Sequence, residues 1–139
     1  QRHALAQLAE TRLAQIDKAL DAALPVQTIK FGKGLRGMPK LNGEPDPAAQ
    51  RRAEALMAFF DCSRHFASQS GYGSARAKVA ERIEARLDYY IEDLLEMVRT
   101  EQVSQLALVR SHMNVSAALM TAARGEKAGQ LVRRRAASI

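Results

Sequence analysis

SARAKVAERIEARLDYYIEDLLEM, residues 74–97, is the stretch whose reading decides the fold. Val79, Ile83, Leu87, Tyr90, Leu94 and Met97 recur in steps of four and three, which places all six on one stripe of an α-helix. A half-buried strand would alternate with period two, and this stretch does not. The spacing is that of antiparallel helix packing or of a coiled coil, and such a seam has to be covered. Read as a self-association surface, the six residues predict a homodimer.

Working toward the C-terminus, the seam loses phase at RTEQVSQ (99–105) and resumes with Leu106, Val109, Met113, Ala117 and Met120. A tight turn or kink at this point predicts a separate helix over 103–124, stopped by Gly125. The competing reading is a single helix of about 50 residues, which needs a partner chain to cover it. EKAGQLVRRRAAS and the residue after it, 126–139, read as a short basic helix or tail.

Toward the N-terminus, Ser74 is the predicted cap of a helix over 74–98, and Gly71 and Gly73 close the helix before it. That preceding helix spans 47–69, with Ala53, Leu56, Met57, Phe60 and Phe66 facing inward. Asp46-Pro47 suits its start, because Asp accepts a bond from an orphan amide and Pro costs nothing at the first helical position. Residues 1–24 form the first helix, with Leu5, Leu8, Leu13, Ile16, Leu20 and Leu24 at helical spacing and Pro25 as the stop. The sum is one all-α domain over 1–139. It is four-helix bundle-like, with one long ordered loop over 25–46 between the first two helices.

That loop contains FGKGLRG (31–37), in which Gly32, Gly34 and Gly37 have the spacing of a dinucleotide-binding loop. The loop works in that role only where a strand runs into a tight turn and a helix N-terminus then faces the pyrophosphate. VQTIKF (26–31) passes as extended, but Met38-Pro39-Lys40-Leu41-Asn42-Gly43 cannot open the helix, and no second βα unit follows. The glycine spacing is therefore read as coincidental, and no cofactor is assigned. What remains is a surface loop with Ile29, Phe31 and Leu35 against the bundle, whose backbone and Lys30, Lys33, Arg36 and Lys40 can face an anion.

Charge points the same way. The formal net charge is +6, and it is uneven. Residues 25–55 hold six basic against three acidic side chains, and residues 102–139 hold six against one. Residues 56–101 are acidic on balance, six against eight. The densest cluster is Arg133-Arg134-Arg135, with Arg124 and Lys127 upstream. Positive charge concentrated in two places favours an acidic protein partner, or the phosphate backbone of a nucleic acid. No helix-turn-helix and no aromatic stacking platform accompanies it.

The chemistry-bearing residues are sparse. One cysteine, Cys62, excludes an internal disulfide and points to a reducing, cytoplasmic setting. Cys62-x-x-His65 beside Asp61 lacks further ligands, so no metal is assigned. Glu81, Glu84, Asp88, Glu92, Asp93 and Glu96 read as a solvated face partnered locally by Arg76, Lys78, Arg82 and Arg86. Among them no Glu-x-x-His pair of a di-iron bundle occurs. In LVRSHMNVSAALM, His112 sits mid-helix, which resembles a histidine phosphotransfer domain; Val115 and Ser116 stand where that family has Lys and Gly. No nucleophile–base pair is recognisable otherwise, so catalysis is not expected. No apolar run reaches the ~20 residues that span a bilayer, and no signal peptide is visible. The expectation is a non-enzymatic interaction module that meets an acidic partner through Lys30, Lys33, Arg36, Lys40, Arg124, Lys127, Arg133, Arg134 and Arg135.

Overall fold

The computed structural model describes residues 2–31, 33–63 and 73–139; the side chains of residues 2, 3, 5, 6 and 31 lie outside the description. Helix α1 runs Arg2–Ala23. Its inward stripe is Ala9, Leu13, Ile16, Leu20 and Ala23, all buried, whereas Leu8 is about half exposed and not part of the core. The helix closes with the Leu24 amide donating to the Leu20 carbonyl at 2.7 Å, immediately before Pro25.

Residues 25–46 are not an irregular loop throughout. Strand β1 (Val26–Phe31) pairs antiparallel with β2 (Gly34–Pro39), Val26 opposite Pro39 and Phe31 opposite Gly34. The β-branched Val26, Thr28 and Ile29 favour the pleated conformation, and the glycines of the second half accept pairing with it. Gly34 and Gly37 thus lie within a strand, and the next helix begins only at Pro47. The helix N-terminus that a pyrophosphate loop requires is absent from this position. Ile29 and Leu35, expected against the bundle, are instead exposed.

Helix α2 (Pro47–Cys62) is capped as its sequence implies: Asp46 Oδ1 accepts from the Ala48 amide at 3.0 Å, and proline occupies the first turn. The expected continuation to 69, with Phe66 and His65, falls outside the described residues. Helix α3 spans Gly73–Arg99, so Ser74 lies inside it rather than capping it. The phase loss at 99–105 marks a true break. The Thr100, Glu101 and Gln102 amides fold back on the Glu96, Val98 and Met97 carbonyls at 2.9, 3.1 and 2.9 Å. Glu101 turns the chain at φ 57°, an uncommon conformation for a residue with a side chain. Helix α4 (Leu106–Arg124) and helix α5 (Glu126–Ala137) complete the chain.

Among the described residues the chain is mostly helical, with five helices and the single hairpin. Helix α1 packs on α2 and α3, α4 packs on α2 and α3, α5 lies along α4, and β2 rests on α3. All five helices contribute to the core, α5 through Val132 and Ala136. Leu87, Leu94, Val109, Met113, Ala117 and Leu119 have no measurable exposure. The seam expected to face a second copy faces this chain's own helices: Val79, Ile83, Leu87, Tyr90 and Leu94 are all buried, and Met97 is half-buried. A stripe has no register for telling an internal partner from an external one. Here α1 and α4 are the partners.

The α4–α5 contact is set by two glycines. Gly125 turns the chain at φ 100°, a region that side chains rarely adopt. Gly129 lies against α4 so closely that an added Cβ would stand 1.8 Å from Thr121 Oγ1 and 2.9 Å from the Ala117 carbonyl oxygen. Gly129→Ala is accordingly expected to cost about 1–3 kcal/mol through overpacking. Urea unfolding of Gly129→Ala and of Gly129→Ala with Thr121→Ala checks this, and the double variant should recover part of the loss.

Candidate interaction surface

Helix α3 positions most of the candidate site. At 100° per residue, its buried stripe leaves two flanks. Arg82, Arg86, Tyr89 and Asp93 fall on one, Glu84, Asp88 and Glu92 on the other. On the first flank, Arg86 reaches α1: its Nη1 donates to Asp17 Oδ1 at 2.9 Å and to the Asp17 carbonyl at 3.1 Å, and its Nη2 pairs with Asp21. On the same flank Asp93 accepts from Arg36 of β2 at 2.6 Å, which ties the hairpin down. On the second flank Glu92 pairs with Arg135 of α5 at 2.8 Å. Arg124 lies 4.0 Å from Glu84 and 3.9 Å from Asp88.

The acidic face of α3 is thus not satisfied by its own arginines. Among the described residues its partners come from the hairpin and from α4 and α5, and only Glu96 pairs locally, with Arg99. Local partners lose because Arg86 is drawn toward α1 and Arg76 points into the core. Each such exposed pair contributes only about 0–1 kcal/mol. Their value here is allocation, since Arg36, Arg124 and Arg135 of the nine expected binding residues already face carboxylates. Lys30, Lys33, Lys40, Lys127, Arg133 and Arg134 are exposed, and among the described residues none of these six is in an ion pair. The two basic groups do approach the same helix: Arg36 and Arg135 hold consecutive residues of α3, Asp93 and Glu92, from opposite sides.

Arg76 is the residue the sequence reading misplaced. It is 7% exposed, and its Nε and Nη2 donate to the Phe60 carbonyl at 3.3 and 3.0 Å. The guanidinium also lies 4.4 Å from the Phe60 ring centroid and 3.8 Å from Asp61. It therefore joins Ser63, whose amide and hydroxyl donate to the same carbonyl at 3.2 and 2.6 Å, in capping the end of α2. The signal was present: Arg76 stands three residues before Val79, in phase with the seam, where a solvated face does not reach.

Between α1, the hairpin and α3 lies a cleft of about 400 Å³, walled by Leu20, Leu24, Val26, Leu87, Tyr90 and Arg82 among others. The Tyr90 hydroxyl is buried with no hydrogen-bond partner among the described residues, and burial holds it well above the ordinary tyrosine range. His112 is 1% exposed, with Nδ1 2.9 Å from the Leu108 carbonyl. A carbonyl only accepts, so Nδ1 carries the proton there. Ser116 donates to the His112 carbonyl at 2.9 Å, one turn further on. A ring enclosed in this way does not meet the exposed geometry that phosphotransfer needs, and the phosphotransfer resemblance does not extend to the side chain. Cys62 is exposed, and His65 is outside the described residues. Among the described residues no three His, Cys, Asp or Glu side chains are grouped to hold a metal ion. No helix among them is long and apolar enough to cross a membrane. The chain matches no protein-family model, no curated protein and no solved structure.

Two substitutions separate the buried polar groups. Arg76→Leu removes two donors from the Phe60 carbonyl, which keeps the Ser63 amide and hydroxyl, and also removes the ring contact, so about 1–2 kcal/mol of stability should be lost in urea unfolding. Tyr90→Phe should leave stability at neutral pH within about 1 kcal/mol or raise it, because the hydroxyl has no partner to lose. Above about pH 10 the unfolded chain ionises this tyrosine while the folded chain keeps it neutral, so stability falls as pH rises. Unfolding curves across that range should show a shallower fall for Tyr90→Phe.

Proposed function

We propose that this protein is a non-enzymatic helical interaction module that engages an acidic partner through its hairpin lysines and the exposed arginines of α5. The framework for this reading is a four-helix bundle of α1–α4, with the hairpin laid on α3 and α5 laid on α4. The observation that carries it is the division of charge. Carboxylates of α3 are held by Arg36, Arg124 and Arg135, while Lys30, Lys33, Lys40, Lys127, Arg133 and Arg134 are exposed without ion-pair partners among the described residues. Unneutralised cations on the hairpin and on α5 attract a polyanionic surface and speed its encounter. The allocation refines the expected set of nine, with three residues acting as internal ties and six as the outward charge.

The reading is tested by fluorescence anisotropy with labelled polyglutamate and with mixed-sequence DNA of matched charge, at low and moderate salt. Binding of polyglutamate should weaken as salt rises, and charge reversal of Lys30, Lys33 and Lys40 should weaken it about tenfold or more. Markedly tighter binding to DNA would put phosphate-backbone recognition first, with a salt slope that counts the contacts. No binding to either polymer at low salt would sink the proposal.

A further inference from the structure

We propose that β1 is a docking edge that accepts an acidic, extended peptide segment as a third strand of the sheet. This inference rests on the acidic-partner reading and adds the geometry of recognition. The Lys40 amide donates to the Pro25 carbonyl at 2.8 Å, so residues 25 and 40 are a hydrogen-bonded pair of the ladder. Such pairs alternate along antiparallel strands. With Val26 opposite Pro39 and Thr28 opposite Gly37, the bonded pairs are Gln27 with Met38, Ile29 with Arg36, and Phe31 with Gly34. Val26, Thr28 and Lys30 therefore direct their N–H and C=O groups away from β2. None of these groups has a backbone partner outside the hairpin among the described residues.

The outer side of β1 is open. It is β2 that packs on α3, and every side chain from Val26 to Lys30 is exposed. Proline is placed where it does no harm, at Pro39 in a pair that exchanges no bonds. An edge of this kind is a template for another strand, and proteins commonly blunt it with charge. Here the charge selects the occupant. Lys30 and Lys33 lie at the tip of the hairpin and Lys40 at its base, none in an ion pair among the described residues. A second copy of the chain brings lysines to the same edge and is repelled. A segment with carboxylates at both ends is attracted, and Ile29, 37% exposed, offers apolar contact near its centre. Main-chain bonds supply affinity in such additions, and the flanking side chains supply choice.

The experiment uses a labelled peptide of about eight residues, β-branched at its centre with Glu at both ends, long enough to cover β1. Two further peptides of identical side chains are N-methylated at alternate amides, one in each register, so that charge is kept while the amides that would face β1 are blocked in only one of them. On the protein side, Thr28→Pro removes one outward N–H without touching the β1–β2 ladder, and proline is tolerated on an edge. Circular dichroism and thermal unfolding check that this variant folds; the methylated peptides decide the matter without it. The expected result is binding at least tenfold weaker for the peptide whose methylated amides face β1 and for Thr28→Pro, little change for the peptide methylated in the other register, and a further loss for Lys30→Ala with Lys33→Ala. Binding of both methylated peptides as tight as that of the parent overturns strand addition. If that binding still depends on the lysines, the acidic-partner reading stands without it. If neither the parent peptide nor polyglutamate binds, both fall.

Discussion

The burial of the α3 stripe is the constraint on which the rest depends. Leu87, Ile91 and Leu94 are at most 1% exposed, and removing each such side chain from water favours folding by roughly 1.5–3 kcal/mol. Once that stripe faces α1 and α4, the rotation of α3 is settled, and with it the direction of every other residue on the helix. Arg86 must then point toward α1, Asp93 toward the hairpin, and Glu84, Asp88 and Glu92 toward α4 and α5. The ion pairs follow from the packing. They are too weak, taken singly, to have dictated it.

This order of causes explains how charge is divided over the molecule. An apolar seam rotates the carboxylates of α3 into reach of arginines far away in sequence, and those arginines are thereby removed from the outward surface. Arg36 and Arg135 become ties that hold the hairpin and α5 to consecutive residues of one helix. Among the described residues, the lysines of the hairpin and the two remaining arginines of α5 meet no carboxylate. Small residues complete the arrangement. Gly129 lets α5 lie against α4, and Ala49 and Ala53 are buried on the face α2 turns inward.

Legibility in the sequence varied with the range of the interaction concerned. Asp46-Pro47 announced a helix start because both effects act within one turn. The break at 99–105 was visible as a loss of phase, and Pro25 as a stop. The hairpin was only half legible. VQTIKF carries β-branched residues, but its partner GLRGMP has two glycines and a proline, and strand propensity depends on pairing and burial more than on the backbone. Arg76 was misread as part of a solvated face, although its phase with Val79 and Ile83 marked it for burial. Nothing local showed that its guanidinium would reach the Phe60 carbonyl and ring, because these belong to another helix.

The candidate surface divides along the same line. Which residues are basic, that they gather in two segments, and that one stripe of residues 79–97 must be covered are properties of order and spacing alone. They hold whatever the chain packs against. Whether that stripe faces a second copy or its own neighbours, and which cations are spent on internal carboxylates, depends on distances between residues some 40 to 70 positions apart. Periodicity gives the direction of a side chain relative to its own helix axis but not what stands opposite. Only the packed arrangement of α1, α3, α4, α5 and the hairpin decided that, because the burial of each stripe was met by another stripe of the same chain.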